Sequence, residues 1–323
     1  MNKYIAITIG DIKGIGIHIL LRAWKQKKIK NFILITNIKY LNEFLHKNKI
    51  RIKLNTINIE EKNINYNKKR LNIFDIKCKT LEENTYISLK KAYELCFERI
   101  CIGMVTLPLK KESLKKIDRK FIGQTEFFQK LDKRKYSNMI LFHNKIIIST
   151  LTTHIEIKKL PKLIQNKIFL FNQINNLYNC LKSDFNIKEP KLIISGFNPH
   201  AGENGKIGDE EINYIMPVIN KLKKIGINIK GPLSADSILI NKNLKKYDCY
   251  IFLFHDQALI PFKFISQFSG VNYTGNLNII RTSPDHGTAY KLIGSNKLSD
   301  KSLFNCYKLV KKIYRSRNIN DKC

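Results

Sequence analysis

The chain has 323 residues, 43% of them apolar, and a formal net charge of +32. That size and composition suit a globular protein of two ordinary domains, and no run approaches the 18 uncharged apolar residues of a membrane span. The charge invites a nucleic-acid partner, but 49 lysines against nine arginines are spread among Ile, Asn, Tyr and Phe, which reads as compositional drift and makes nucleic acid an unfavoured partner.

In chain order, IAITIG (4–9) reads as a buried strand, GDIKGIG as a turn and IHILLRAWKQKK as a helix. FILITN (32–37) completes a βαβ opening. A helix over 38–48 and a strand near 50–57 follow, then the loop-like NINYNKKR. TYISLKKAYELCFER (85–99) has helical spacing, and ICIGMVTLP (100–108) is a strand ending on proline. Strands near 139–142 and 145–150 precede KLPKLIQNKIFLFNQINNLYNCLKSDF, which holds one long helix or two. KLIISGF is a strand, EEINYIMPVINKLKKIG a helix, YDCYIFLFHDQ a strand running into a loop, and SLFNCYKLVKKIYRS a terminal helix. This alternation predicts an α/β protein with a largely parallel sheet. The first residues flow into that pattern without a signal-peptide cleavage site, and seven cysteines form no CxxC. A reduced, cytoplasmic compartment is the expectation.

GDIKGIG follows a strand and opens a helix, as a dinucleotide fingerprint would, but the third glycine is replaced by Ile19. It reads as a tight strand–helix turn. The histidines carry more. His18 and His46 lie in helical patterns and His143 in a hairpin-like turn, so these three are structural or solvated. The other four sit at strand ends: His154 in LTTHI, His200 in NPHAGE, His255 in FHDQ and His286 in PDHGT. In an α/β sheet the C-terminal strand ends lie along one edge, where residues distant in sequence converge. Three neutral imidazoles with an open position suit Zn²⁺ or a similar ion, although each histidine has an equally good structural reading. Lys263, Asn272 and Arg281 fall at loop-like points, and an arginine fork there suits an anionic substrate or an ordinary surface salt bridge.

Taken together, VTLPLKKESL, FIGQTEF, LTTHI, GFNPHAGENGKIGDEE, GPLSAD, FHDQALIPFK, GVN and IRTSPDHGTA resemble, in order and rough spacing, the 4-hydroxythreonine-4-phosphate dehydrogenase family of pyridoxal phosphate biosynthesis. The resemblance runs from about residue 10 to 310. It implies an isocitrate/isopropylmalate-dehydrogenase-like fold, with one α/β domain over 1–120 and 282–323, a second over 121–281, and a cleft between them. It implies a homodimer whose divalent metal (Zn, Mg or Co), shared between subunits, is held by His154, His200 and His255. Substrate contacts are implied for Gln124, Thr125, Lys263, Asn272 and Arg281, and catalytic roles for Asp236, Asp256 and Lys263. Asp285, His286 and Gly287 match the loop that receives NAD or NADP.

The implied reaction oxidises 4-phosphooxy-L-threonine to a β-keto acid that decarboxylates to 3-amino-2-oxopropyl phosphate. Three departures stand out: Gln124 replaces the family's histidine, GDIKGIGIH lacks the usual prolines and glutamate, and TGNLN (274–278) replaces a Thr-Leu-Gly-Leu-Pro run. The first leaves open a phosphorylated four-carbon sugar acid, threonate or erythronate 4-phosphate, as substrate. A nucleic-acid-binding protein that has lost catalysis is the contrasting class, and the retained histidines, Lys263 and Arg281 argue against it. Glu210 and Glu211 are expected to open the helix after NPHAGE, where acidic residues suit the positive helix end.

Overall fold

The computed structural model describes residues 3–60, 63–240, 244, 246–295 and 298–320. Strands β1 (Tyr4–Thr8), β2 (Phe32–Thr36), β3 (Leu54–Thr56), β4 (Ile59–Glu60), β5 (Asn63–Ile64), β6 (Leu71–Asp75) and β7 (Cys101–Thr106) come first. Next are β8 (Asn138–His143), β9 (Ile146–Thr150), β10 (Leu192–Ser195), β11 (Ile229–Leu233), β12 (Cys249–Phe252) and β13 (Val271–Gly275), and β14 (Arg281–Pro284) comes last. The chain forms two compact units, Met1–Phe128 with Asn278–Tyr314 and Gln129–Leu277 with Arg315–Cys323. Each is an α/β layer structure, as the alternating pattern predicts.

In the first unit the strand order is β14-β7-β1-β2-β6-β3, and every pair among these six is parallel. Parallel neighbours need crossover segments that cover the sheet, so their strands are apolar on both faces. Ile5, Ile7, Ile33, Ile35, Met104 and Val105 accordingly show no exposure. The helix expected over 85–99 begins at Leu81, because Thr80 caps it by accepting from the Glu83 amide at 3.1 Å. Strand β6 joins within a stretch whose alternating Leu71 and Ile73 escape the periodicity reading. The GDIKGIG turn is built as a structural turn. Gly10 has φ +63°, and a Cβ there would lie 2.4 Å from the Pro108 carbonyl oxygen. The Ile15 amide, opening helix Ile15–Lys25, donates to the Thr288 carbonyl at 2.9 Å.

The second unit has the order β11-β10-β12-β9-β8-β13. Its first four strands are parallel, whereas β8 pairs antiparallel with both β9 and β13, so this sheet is mixed. The long apolar segment after β9 splits into helices Leu160–Ile164 and Lys167–Ser183, the second capped by the Asn166 side chain. Met139, Leu141, Ile148, Ile193, Tyr250, Phe252 and Phe262 pack into one core cluster. Among the described cysteines none is bonded to another, and all but Cys78 are buried as small hydrophobes. No helix among the described residues is long and apolar enough to cross a membrane.

A buried polar knot lies inside this unit, with Arg317 supplied by the last residues of helix Lys301–Asn320. Arg317 Nε donates to Asp184 Oδ1 at 2.7 Å, Cys180 Sγ to Asp184 Oδ2 at 3.1 Å, and the Tyr273 hydroxyl to the same oxygen. Burial pushes the Asp184 carboxyl up, and the Arg317 charge with these hydrogen bonds outweighs it, leaving the group below its ordinary range. A carboxyl whose folded pKa is depressed stabilises above its unfolded pKa and loses that contribution as pH falls through the folded value. In urea titrations Asp184→Asn is therefore expected to lose about 3–5 kcal/mol at pH 7. It should also lack the steep acid destabilisation that the parent shows from about pH 4 downward. Unchanged stability of the variant at pH 7 would refute the assignment.

Candidate active site

Because β11, β10, β12 and β9 are adjacent and parallel, their C-terminal ends lie on one edge. Each end releases one chemically capable side chain within five residues: Asp236 after β11, His200 after β10, His255 after β12 and His154 after β9. The strand order thus sets the spatial order of the four. His154 and His255 meet with ring centroids 5.7 Å apart, tilted by 43°. A cavity of about 180 Å³ lies against Thr153, His154, Phe254, His255 and Asp256.

His255 is the first residue of helix His255–Ser266, so HDQ opens a helix and is not the loop its polarity suggests. Asp256 Oδ1 lies 2.6 Å from His255 Nδ1, which occupies that nitrogen and leaves Nε2 as the one that could meet a ligand. His200 sits on a tight turn in which five consecutive residues, His200 to Asn204, have φ of 51°, 53°, 78°, 42° and 58°. Left-handed backbone costs about 1–2 kcal/mol for each residue that is not glycine, so something outside the turn must hold it. Ser234 Oγ donates to Asp236 Oδ1 at 2.6 Å; this bond holds the Asp236 carboxyl below its ordinary range, and the nearby His200 charge adds to the effect. The structure therefore pairs His154 with His255 and sets His200 near Asp236. Among the described residues it gathers no group of three His, Cys, Asp or Glu side chains at metal-binding spacing.

Lys263 and Asn272 are not in loops, as the sequence suggests, but on the same helix as His255 and in β13 respectively. Asn272 Oδ1 is buried and has no hydrogen-bond partner, an acceptor left open for a donor from elsewhere. Two further residues escape sequence reasoning. Gln257 accepts from the Leu253 amide at 3.2 Å and donates to the Gly196 carbonyl at 3.2 Å, bracing the end of β12 against the end of β10. Glu211 opens the following helical segment, as expected, and is 3% exposed, its carboxylate turned inward toward the His200 turn. A glutamine two residues after a strand-end histidine and an acid in a π-turn carry no motif that flags them.

In the first unit Arg281 opens β14 and is 2% exposed, so it is neither a loop residue nor a surface one. Its Nε and Nη2 donate to Thr106 Oγ1 at 3.0 and 2.8 Å, and Nη2 also donates to Gln124 Oε1 at 2.8 Å. Phe128 lies beneath the guanidinium, 5.7 Å from ring centroid to carbon. Burial pushes this guanidinium down to about 10, offset in part by Cys306 and Glu126, and it stays charged at neutral pH. Thr125 is buried beside Gln124 at the start of helix Gln124–Leu131.

After β14, the Asp285 amide donates to Ser302 Oγ at 3.1 Å, and His286 Nδ1 lies 3.0 Å from the Gly287 carbonyl. A Cβ on Gly287 would meet nothing within 4 Å, so that residue faces open space. The segment then docks on the first turn: Thr288 accepts from Ile15, and Tyr290 donates to Asp11 at 2.5 Å. A cavity of about 410 Å³ adjoins this junction, with Asp11, Lys13, Thr85, Lys110, Ser113 and Tyr290 among its walls.

Residues 28–310 match the family model of the pyridoxal phosphate biosynthetic protein PdxA. A 4-hydroxythreonine-4-phosphate dehydrogenase of Aquifex aeolicus is 35% identical over 328 residues, covering 96% of this chain and 98% of its own. The crystal structure of the enzyme so titled from Klebsiella pneumoniae superposes with a TM-score of 0.81 at 26% identity, covering 97% of this chain and 99% of the other. A D-threonate 4-phosphate dehydrogenase of Pectobacterium atrosepticum is 28% identical, covering 94% of this chain and 97% of its own. With the α/β fold, the histidine-bearing strand edge and matches that run almost end to end, the chain belongs to the PdxA family of pyridoxal phosphate biosynthetic proteins.

Proposed function

We propose that the chain is a metal-dependent, NAD(P)-linked 4-hydroxythreonine-4-phosphate dehydrogenase. It oxidises the secondary alcohol of 4-phosphooxy-L-threonine to a β-keto acid, which loses CO₂ to give 3-amino-2-oxopropyl phosphate. The observation that carries this reading is the strand edge that aligns Asp236, His200, His255 and His154 in a chain matching such enzymes along nearly its whole length.

The donor set fits a divalent ion. Imidazoles favour zinc or cobalt over magnesium, and the Asp256 carboxylate on His255 Nδ1 is the outer partner that metal-bound histidines commonly have. His154, His200 and His255 would hold the ion, and Asp285, His286 and Gly287 would receive the nucleotide. When bound, the ion supplies Lewis-acid polarisation of the alcohol and keto oxygens, and the nicotinamide supplies a hydride acceptor. Arg281, fixed by Thr106 and Gln124, presents an oriented positive charge for the substrate's phosphate or carboxylate, and Lys263 supplies a second. The open Asn272 Oδ1 suits a donor such as the substrate ammonium, while the Thr125 hydroxyl offers a neutral contact. Asp236, held in its anionic form, and Asp256 are the bases at the strand edge that can take the alcohol proton, with Lys263 able to return one to the enolate carbon.

A homodimer that shares the metal site between subunits is part of this reading. The helix that carries His255 and Lys263 exposes Ile260 and Phe264, and Phe268 just beyond it, at 70%, 79% and 59%. Such an apolar face beside a charged site suits burial by a second copy. A cytoplasmic setting follows from the biosynthetic role. The second reading, oxidation of threonate or erythronate 4-phosphate, is favoured by Gln124 in place of a histidine and by the Pectobacterium relative.

Three outcomes check these assignments. NAD(P) reduction with 4-phosphooxy-L-threonine should vanish with chelator and fall at least about a hundredfold in His200→Ala; unchanged turnover would remove the metal reading. Arg281→Lys should raise the substrate KM by about tenfold or more, because a lysine cannot reproduce the fork to Thr106 and Gln124. Gln124→His should add an ionisation near pH 6.5 to the kcat/KM profile that the parent lacks at this position. A larger kcat/KM for D-threonate 4-phosphate or D-erythronate 4-phosphate than for the amino-acid substrate would select the second reading.

A further inference from the structure

We propose that Glu211 is the positioning residue for His200: its buried carboxylate holds the left-handed turn that aims the imidazole. The inference rests on the reading of His200 as a metal ligand. Glu211 Oε1 accepts from the amides of Phe197 and Asn198 at 2.7 and 2.8 Å, and Oε2 accepts from Asn198 Nδ2 at 2.9 Å. One carboxylate thereby occupies both amides at the entry to the turn and clamps the side chain of Asn198, whose own carbonyl accepts from the Ala201 amide at 3.1 Å.

The surrounding backbone is cut to admit this group. A Cβ on Gly196 would lie 3.0 Å from Glu211 Oε1, and one on Gly202 would lie 2.9 Å from Oε2. Both glycines leave room that a larger residue would take from the carboxylate. The entire left-handed run from His200 to Gly205 lies between the clamped Asn198 and Glu211 itself. A charged acceptor bonded to backbone N–H groups makes strong bonds, and burial shields them from competing water. Removing the charge lets the strained turn relax and swings the His200 ring away from its ligating direction, with the ring's own chemistry untouched.

Gln257 supports the same geometry from the other side by holding the Gly196 carbonyl, but it does not touch the turn itself. Glu210 Oε2 shares the Asn198 Nδ2 donor at 2.7 Å, but Glu211 is the acid that accepts from the two backbone amides, so the assignment falls on Glu211.

The test uses the full-length chain and Co²⁺ alone as probe. Glu211→Gln keeps the side-chain shape and removes the charge; it should raise the Co²⁺ Kd about ten- to hundredfold and alter the visible absorption of the bound ion. His200→Ala should weaken Co²⁺ binding at least as much. Loss of binding in His200→Ala alongside parental Kd and spectrum in Glu211→Gln would overturn the positioning role while sparing the metal reading. Parental binding in His200→Ala would overturn both. In the unmodified protein, amide hydrogen exchange gives a check that needs no variant to fold. The Phe197 and Asn198 amides should exchange as slowly as those of β10, and loop-like exchange at both would equally overturn the clamp.

Discussion

The parallel pairing of β11, β10, β12 and β9 is the constraint on which the candidate site depends. Ile193 pairs with Lys230 on one side and Tyr250 on the other, and Tyr250 pairs in turn with Ile148. Strands running one way release their next residues at the same edge, about 4.8 Å apart from strand to strand. Asp236, His200, His255 and His154 lie along one edge for that reason, although 101 positions separate His154 from His255 in the sequence. The register itself is held by burial. Ile193, Ile194, Ile148 and Ile251 have no exposure, and a one-residue slip would turn buried side chains toward the opposite face.

On this apolar frame a few buried polar groups set direction. Burying a charge is costly unless it is paired or hydrogen-bonded, so each such group indicates what its surroundings were built to hold. Asp184 joins Arg317, Tyr273 and Cys180 and serves the stability of the second unit. Glu211 turns its oxygens onto backbone amides and shapes a strained turn. Arg281 donates to the neutral oxygens of Thr106 and Gln124, which orient the fork. These buried charges differ in their surroundings, and the partner atoms distinguish them.

Much of the architecture is legible in the sequence because apolar periodicity follows directly from burial. IAITIG, FILITN, KLIISGF and the run before FHDQ all become strands, and the capped helices lie near their expected places. Errors concentrate where local pattern and tertiary environment disagree. FHDQALIPFK looks loop-like from its polar start and internal proline, yet it is a helix packed on β9 and β12 through Ala258 and Phe262. RTSP looks like a polar loop, yet it is a strand, because β7 offers Arg281 and Thr282 backbone partners and Thr106 offers the guanidinium an acceptor. Glu211 opens the following helical segment, as its sequence suggests, and its carboxylate also serves the segment before it, which no local pattern records.

By itself the sequence determined the residue types and their order: four strand-end histidines, an isolated arginine, acids beside them, and a motif series specific enough to resemble one family. Those are properties of the chain as written, independent of how it packs. Only the tertiary structure decided which of these groups touch. It brought His154 against His255, gave Asp256 to the His255 Nδ1, buried Arg281 onto Thr106 and Gln124, and directed Glu211 into the His200 turn. The physical reason is that direction and distance at a site come from strand pairing and from contacts between segments remote in sequence, and local pattern carries no record of either.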